Sequence, residues 1–575
     1  LGSAGADLKH RFQWVSPMLV SMHDRNTIYH GSQYVNRSRN EGVTWETISP
    51  DLTTNNPEHQ VQSGGPINAD VTGVEMFNVV FAIAESPFTA EEIWAGSDDG
   101  RLHLSRDDGA TWVEITPTGM PHLGTVDEID LSVHAPGRAY VAVQAYRMDD
   151  FRPYIFRTDD WGASWRLVTT ASNGIPDDHP VRTVREDPEQ EGLLFAGTEQ
   201  GVFASFDGGG RWHSLQQNLP ITPVTGLRVA HDDLILSTQG RSFWIMDDMT
   251  PLRSITATAG AEMHLFAPRD AYRVNNGGAG GGMAEFTPDP APQGALINYY
   301  LGAEPSEEVR LEIVDAAGSV VHTFSTDSLV VKETRGSKLP GEAGLNRVTW
   351  GLTYPGPEVP EAAVIWGYTG GVKAPPGRYS ARLSRGRGAG ASEGFMLLAD
   401  PRIPEVTAAD YAEQFRVSTA VRDSVTAVTR AIETLMAIRE QVESVMEKAD
   451  AAGQADVLEP LADTLTEKST SVHEELMQTK NQSGQDPIRN PPRLDNQWVE
   501  LYNAVTGVDG YIAGGPEGRP LPGAMERLGD LNTEWAVVRE KVQGILREEL
   551  QRFNELVGRL GLPAVVLPDR PRVIS

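Results

Sequence analysis

Short apolar strands, each closed by a glycine and a turn, recur through residues 1–255 and predict a β-rich N-terminal half. Ile28-Tyr29-His30-Gly31, Ile93-Trp94-Ala95-Gly96 and Leu194-Phe195-Ala196-Gly197 open three copies of one unit. In the second copy Ser97 and the turn Asp98-Asp99-Gly100 follow, and Asp-Gly between strands is a strong hairpin signal. A second strand comes next, then the box Ser105-Arg106-Asp107-Asp108-Gly109-Ala110-Thr111-Trp112. The box returns as Ser38, Asn40, Gly42 and Trp45, as Thr158, Asp160, Gly162 and Trp165, and as Ser205, Asp207, Gly209 and Trp212. Starts at 38, 105, 158 and 205 give the spacing of propeller blades with variable loops.

The third unit has Ala139-Tyr140-Val141-Ala142-Val143 as its strand, and an insert from Tyr146 to Arg152 replaces its turn. A fifth unit, with strands over 224–229 and 233–237, lacks the box. The box has a structural explanation. Its Asp accepts backbone N–H groups of its own tight turn, its Gly takes a φ that other residues avoid, and its Trp packs between adjacent sheets. The boxes therefore set blade register rather than chemistry. Five blades are fewer than a ring commonly needs, so an N-terminal segment or a second chain is expected to complete the propeller. A closed five-bladed ring is the alternative.

The pattern changes twice in the second half. Residues 256–293 are rich in Gly and Pro, include the run from Asn275 to Gly282, and read as a linker. No Lys-Ser/Thr follows that run, so it is not a phosphate loop. Residues 294–402 return to short strands, and an immunoglobulin- or fibronectin-like sandwich is expected. From Thr407, apolar residues recur at helical spacing: Tyr411, Phe415, Val421, Val425, Val428, Ile432 and Leu435. Residues 403–562 read as a helical hairpin or small bundle, with helices over 407–451, 456–478, 494–505 and 524–560. Their apolar stripes serve as core for one another or as an oligomer interface. Residues 563–575 form a tail.

Composition narrows the function classes. The chain has 575 residues, no Cys and a formal charge of −30. The absence of Cys excludes disulfides, thiolate metal sites and Cys nucleophiles. The acidic surface disfavours nucleic acid and anionic lipid. No apolar run approaches the length of a membrane-spanning helix.

The strand, turn and box order resembles bacterial proteins with sortilin-type, BNR-repeat propellers, a glycosyl-hydrolase-like family. The matching residues include Ile48-Ser49-Pro50-Asp51-Leu52, Ala95-Gly96-Ser97-Asp98-Asp99-Gly100, Trp244-Ile245-Met246-Asp247-Asp248 and Ala374-Pro375-Pro376-Gly377-Arg378-Tyr379. The chain looks like the C-terminal portion of such a protein, where a further set of blades comes first. The resemblance implies a secreted, periplasmic or cell-surface protein. Sortilin-type propellers bind peptides in a wide channel, and xyloglucanase-type relatives cleave β-glucans with two carboxylates. Sialidases share the box but need an arginine triad that this sequence does not assemble.

The candidate chemistry follows from these alternatives. A glycosidase needs two carboxylates about 5–10 Å apart. Asp98, Asp99 and Glu199, near predicted blade turns, are the catalytic candidates. Glu75, on a candidate inner strand, Arg241, Trp244, Asp247 and Asp248 are the binding candidates; Arg241 either lines the channel, where it would hold a carboxylate or sugar, or is buried in a structural pair with an Asp. Asp98-Asp99 and Asp247-Asp248 are candidate Ca²⁺ oxygen donors without the spacing of a known loop, and no cofactor is expected. Two readings stand: a binding or assembly module for peptide or glycan, and a polysaccharide-active hydrolase.

Overall fold

The structure is a computed structural model that describes residues 5–62, 64, 67, 72–274, 291–360, 364–386, 388, 390–507 and 517–567. It is mainly β, with a helical C-terminal region, and divides into two compact units, Leu1–Ala259 and Gly260–Ser575.

The first unit holds five antiparallel meanders in chain order. The first is β1 (Met18–Val20), β2 (Ile28–Gly31), β3 (Val35–Ser38) and β4 (Glu46–Thr47). The second is β5 (Val80–Glu85), β6 (Ile93–Ser97), β7 (Leu102–Ser105) and β8 (Val113–Glu114). The third is β9 (Thr125–Leu131), β10 (Ala139–Ala145), β11 (Asp150–Thr158) and β12 (Arg166–Leu167). The fourth is β13 (Val181–Glu186), β14 (Leu194–Thr198), β15 (Gly201–Ser205) and β16 (His213–Ser214). The fifth has three strands, β17 (Val224–Ala230), β18 (Asp233–Thr238) and β19 (Phe243–Met246), before the short helix α1 (Thr250–Ser254).

Each meander is a blade, and the first strands β1, β5, β9, β13 and β17 lie next to one another in that order. Side chains on a strand alternate between faces, so a second strand buries one set against the blade before it and the other against the blade after it. Ile93 and Ala95 join the core shared with the first blade, while Trp94 joins the core shared with the third. Leu194 and Ala196 pack toward the third blade and Phe195 toward the fifth. Full burial of one such large side chain contributes about 1.5–3 kcal/mol.

The box Asp behaves as its spacing predicts. Asp107 accepts the Thr111 N–H at 2.8 Å and its hydroxyl at 2.6 Å, and Ser105 Oγ accepts the Gly109 N–H at 2.9 Å. The box Trp packs between sheets in three of four copies. Trp45 differs: 47% of its surface is exposed, and its indole donates to the carbonyl of Gly42 in its own loop.

In the second unit two sheets pack face to face. One runs β20 (Met263–Leu265), β22 (Ala295–Leu301), β26 (Gly344–Trp350). The other runs β21 (Ala271–Arg273), β30 (Ala391–Ala399), β29 (Gly377–Arg385), β23 (Val309–Asp315), β24 (Val320–Ser325) and β25 (Ser337–Lys338), with helix α2 (Ser328–Thr334) before β25. Their shared core holds Tyr299, Leu311, Trp350, Tyr379 and Phe395. The expected linker over 256–293 is corrected here. Strands β20 and β21 lie inside it and pair with β22 and β30. Three residues are too few to show an alternation, so the sequence hid them. The run from Asn275 to Gly282 lies outside the described residues.

A hairpin of β27 (Thr353–Tyr354) and β28 (Val372–Lys373) leads to the helices α3 (Ala408–Ala451), α4 (Ala455–Leu476), α5 (Leu494–Thr506), α6 (Pro522–Gly544) and α7 (Leu550–Arg559). Thr407 and Asp410 close a capping box at the start of α3. The π-turn Ile545–Glu549 joins α6 to α7. The apolar stripes cover one another: Val421, Leu435, Leu465, Trp498, Tyr502 and Phe553 share one core. Part of the expected tail is pinned, because Val565 joins that core and donates to Asn554 Oδ1.

Candidate functional site

The candidate site begins with an irregularity in strand pairing. Val80 pairs with Ser97 and Ala82 with Gly96, which leaves Phe81 as an extra residue in β5. The same count leaves Asp127 extra in β9, Arg182 in β13 and Thr225 in β17. Each is a β-bulge, and a bulge re-aims the side chain it carries. Phe81, Asp127, Arg182 and Thr225 all line one groove of about 600 Å³ along the first strands. The glycines of the repeat let the first strands approach. A Cβ on Gly96 would sit 2.3 Å from Val126 of the next blade, and one on Gly197 would sit 2.8 Å from Val224.

Charge is paired within the fourth blade and from it to the third. The Arg182 Nη1 donates to Glu199 at 2.6 Å. Its Nε faces Asp127 Oδ2 at 3.3 Å, yet both atoms are buried and neither makes a hydrogen bond. Deeper along the strands, Arg185 holds Glu128 and Asp130, and Asp130 also accepts the Glu186 N–H at 2.6 Å. Burial pushes the Asp127 carboxyl up to about 7, against the pull of Arg182 and Arg147. Burial likewise takes Asp130 to about 6, with Arg185 opposing. The site therefore offers a carboxyl that exchanges its proton near neutrality, beside a fixed guanidinium. Arg182 stands between Asp127 and Glu199, so these two acids do not face each other across an open gap.

The residues singled out from the sequence are dispersed. Asp98 is fully buried; its Oδ1 accepts the Val79 N–H at 2.9 Å, its Oδ2 has no hydrogen bond, and burial raises its carboxyl to about 8. Asp99 accepts from Ser97, Thr54 and Asn78 and holds the β6–β7 turn in place. Arg147, on the insert of the third blade, acts on both Asp98 and Asp127. Glu199 reaches the groove rim through Arg182. Among the described residues no group of three His, Asp or Glu side chains is placed to hold a metal ion.

Two placements are corrected. Glu75 lies in an isolated bridge with Gln13, not on an inner strand, and accepts the Trp14 indole on the surface. The first strand of that blade begins five residues later, at Val80. Arg241 is exposed and donates to the carbonyl of Gly240, away from the groove lining. The tight turn before β19 folds its side chain back on its own loop. Trp244 donates to the Arg241 carbonyl and packs toward the fourth blade. Asp247 and Asp248 follow β19, and Asp248 accepts the Thr250 hydroxyl at 2.6 Å.

Phe81, Asp127, Arg182, Arg185 and Thr225 escape a reading of single strands. One signal was present. The stretch 125–131 carries three acids, and 181–186 carries two arginines, in equivalent strands of consecutive blades.

No protein-family model and no curated protein matches the chain in sequence. Among solved structures it is similar to the GH74 xyloglucanase from Xanthomonas campestris, at 15% identity and TM-score 0.31, over 52% of this chain and 43% of that one. It is similar to YCF48 bound to D1 peptide, at 16% identity and TM-score 0.27, over 41% of this chain and 68% of that one. It is also similar to PorZ, a surface component of the type-IX secretion system of Porphyromonas gingivalis, at 13% identity and TM-score 0.30, over 67% of this chain and 51% of that one. The chain spans less than half the length of that xyloglucanase. Likenesses this distant carry no argument about function, and the blade assignment stands on the chain's own sheet topology.

Proposed function

We propose that the blade unit is a binding module and that its groove takes an extended peptide carrying charges of both signs. The Asp127–Arg182 ion pair carries this reading: a carboxyl and a guanidinium from two blades meet at 3.3 Å in a groove built by four aligned bulges. A glycan site favours exposed aromatic platforms, and the one aromatic lining the groove among the described residues, Phe81, is buried. The finer assignments belong to the same proposal: a sortilin-type, BNR-repeat propeller, an immunoglobulin- or fibronectin-like sandwich, and an extracytoplasmic location.

A second reading, glycoside hydrolysis, has one specific observation in its favour. A carboxyl raised to about 7 is what a general acid needs, and Asp127 has it. Titration calorimetry of the whole chain against an array-selected charged peptide separates the two readings. Arg182→Ala is expected to weaken binding by about 10-fold or more, the scale of one charged hydrogen bond. The chain is expected to release no reducing ends from β-glucans. Unchanged peptide affinity in Arg182→Ala contradicts the binding reading. Reducing ends lost in Asp127→Asn would establish the hydrolase instead.

A further inference from the structure

The fourth box departs from the other three at the residue before its Trp. That residue is Thr44, Thr111 and Ser164 in the first three copies and Arg211 in the fourth. The hydroxyl has a use in the turn. Thr111 Oγ1 donates to Asp107 at 2.6 Å, Ser164 Oγ donates to Asp160 at 2.6 Å, and Thr44 Oγ1 accepts from Asn40 at 3.0 Å. In the fourth box Asp207 keeps the backbone N–H of this position at 2.8 Å and the Ser205 hydroxyl at 2.8 Å, but no hydroxyl from the residue before the Trp. Arg211 thus gives up a hydrogen bond to a carboxylate, a stronger kind than one between neutral groups. The guanidinium does nothing for the turn, so its use is to be sought in what surrounds it.

It enters a cleft of about 510 Å³ at the junction of the third and fourth blades. The third blade contributes Arg166, the residue after its box Trp, together with Thr170 and Ser172 of the loop 168–180. All four side chains are exposed, and among the described residues none of them makes a hydrogen bond or an ion pair. No carboxylate lines the cleft among the described residues, although the chain has 79 acidic and 49 basic side chains. The two earlier junctions do not repeat the arrangement: the corresponding pairs are Glu46 with Thr111 and Val113 with Ser164. The floor beneath is fixed. Trp212 donates its indole N–H to the Val168 carbonyl at 2.9 Å and its backbone N–H to the Asn173 carbonyl at 2.7 Å. Asn173 Nδ2 donates to the carbonyls of Val168 and Gly209 at 2.8 and 3.2 Å. A Cβ on Gly174 would sit 2.0 Å from the Trp212 carbonyl oxygen, so the loop is seated directly on the box.

We propose that this cleft binds a doubly charged tetrahedral oxyanion, a phosphate or sulfate group. Two guanidiniums supply two positive charges, which match a dianion. Each presents a planar fork of N–H groups to a pair of oxygens, and the two hydroxyls add further donors. Two forks and two hydroxyls call for more acceptor oxygens than one carboxylate carries, and a tetrahedral anion has them. The donors stand on two blades already joined through Trp212, so binding orders side chains and leaves the backbone where it is. The cleft shares no lining residue with the groove along the first strands, and the two sites are separate.

Line broadening of the ³¹P signal of inorganic phosphate, with the whole chain at pH 8 and constant ionic strength, reads binding directly. Sulfate and acetate serve as competitors. Saturable broadening is expected, reversed by sulfate and not by acetate at the same concentration. Tighter binding of phosphate than of sulfate assigns a phosphoryl group, the reverse order assigns a sulfate group, and equal affinities support a site that takes either. Arg166→Gln and Arg211→Thr are each expected to weaken binding by about 10-fold or more, the scale of one charged hydrogen bond. Arg539→Gln, which removes an exposed arginine of α6, should leave binding unchanged. Arg211→Thr also returns to Asp207 the hydroxyl that the other boxes have. Its thermal midpoint without phosphate is therefore expected at or above that of the parent, so that binding is lost in a chain that is no less stable. Should that variant unfold, Arg166→Gln, which lies outside the fourth box, decides alone. The proposal is overturned if no saturable binding is seen, if acetate competes as well as sulfate, or if both variants bind phosphate as the parent does.

Discussion

Asp107 and Asp127 lie in consecutive blades and titrate in opposite directions. Asp107 sits in an exposed box loop, and the hydroxyl and N–H of Thr111 hold its carboxyl below the usual range. Asp127 sits on a bulge of an inner strand, and burial pushes its carboxyl up to about 7. The first arrangement is what a carboxylate does when its task is to fix a turn, and it leaves nothing for a ligand. The second keeps a charge near its switching point, beside an arginine whose geometry is unsatisfied. The comparison separates the region that sets register from the region that can recognise or react. Motif strength in the sequence points to the first, and the proposed function rests on the second.

The largest effects are expected at the blade contacts. Trp212 is buried and clamps the third blade to the fourth, so Trp212→Ala should cost about 3–5 kcal/mol in a denaturant titration. Arg185 neutralises Glu128 and Asp130 in the groove. Arg185→Ala should cost about 3 kcal/mol, because it leaves a buried acid and a partly buried one without their counter-charge, and the loss should be larger at pH 8 than at pH 5. Equal stability of Arg185→Ala and the parent at both pH values would mean that water already screens the pair.

A smaller effect concerns pH. The folded-state pKa of Asp98 is raised to about 8 by burial. A raised carboxyl binds its proton more tightly in the folded than in the unfolded chain, so its stabilising contribution is present at low pH and declines as pH rises from about 4 to about 8. The box aspartates have the opposite sign: their contribution is present above the ordinary carboxylate pKa and is lost as pH falls below it. Asp98→Asn should therefore flatten the upper part of the stability–pH curve and leave the acid limb in place. Chemical denaturation at unit pH steps reads both limbs. The smallest expected effect is Trp45→Ala, within about 0.5 kcal/mol, since that indole is half exposed, donates only within its own loop and otherwise meets the His30 ring edge-on. A cost near that of Trp212→Ala would show that the first box is clamped after all.

Much of the fold was legible because its signals are local. Box spacing located four blades, the Asp99-Gly100 pair located a hairpin, and the apolar period from Tyr411 located α3 almost to the residue. The groove was not legible. A bulge is a mismatch between two strands, and no single strand carries it: Asp127 in Thr125–Leu131 reads as one polar position among several. Glu75 and Arg241 misled for a related reason. Each stands near a strand whose exact start depends on pairing, and a shift of a few residues moves a side chain from the groove to the surface. Asp98 and Asp99 do lie at the turn between β6 and β7, but a turn can be buried, and the sequence shows no difference between a buried turn and an open one.

The most direct measurement is a carboxyl ¹³C titration of Asp107 and Asp127 in the same sample, assigned through Asp107→Asn and Asp127→Asn. Asp127 is expected to titrate near 7 and Asp107 below the usual carboxylate range. If both titrate near 4, the inner-strand carboxyl is as solvated as the one in the box, and the groove loses the property on which the proposed function rests.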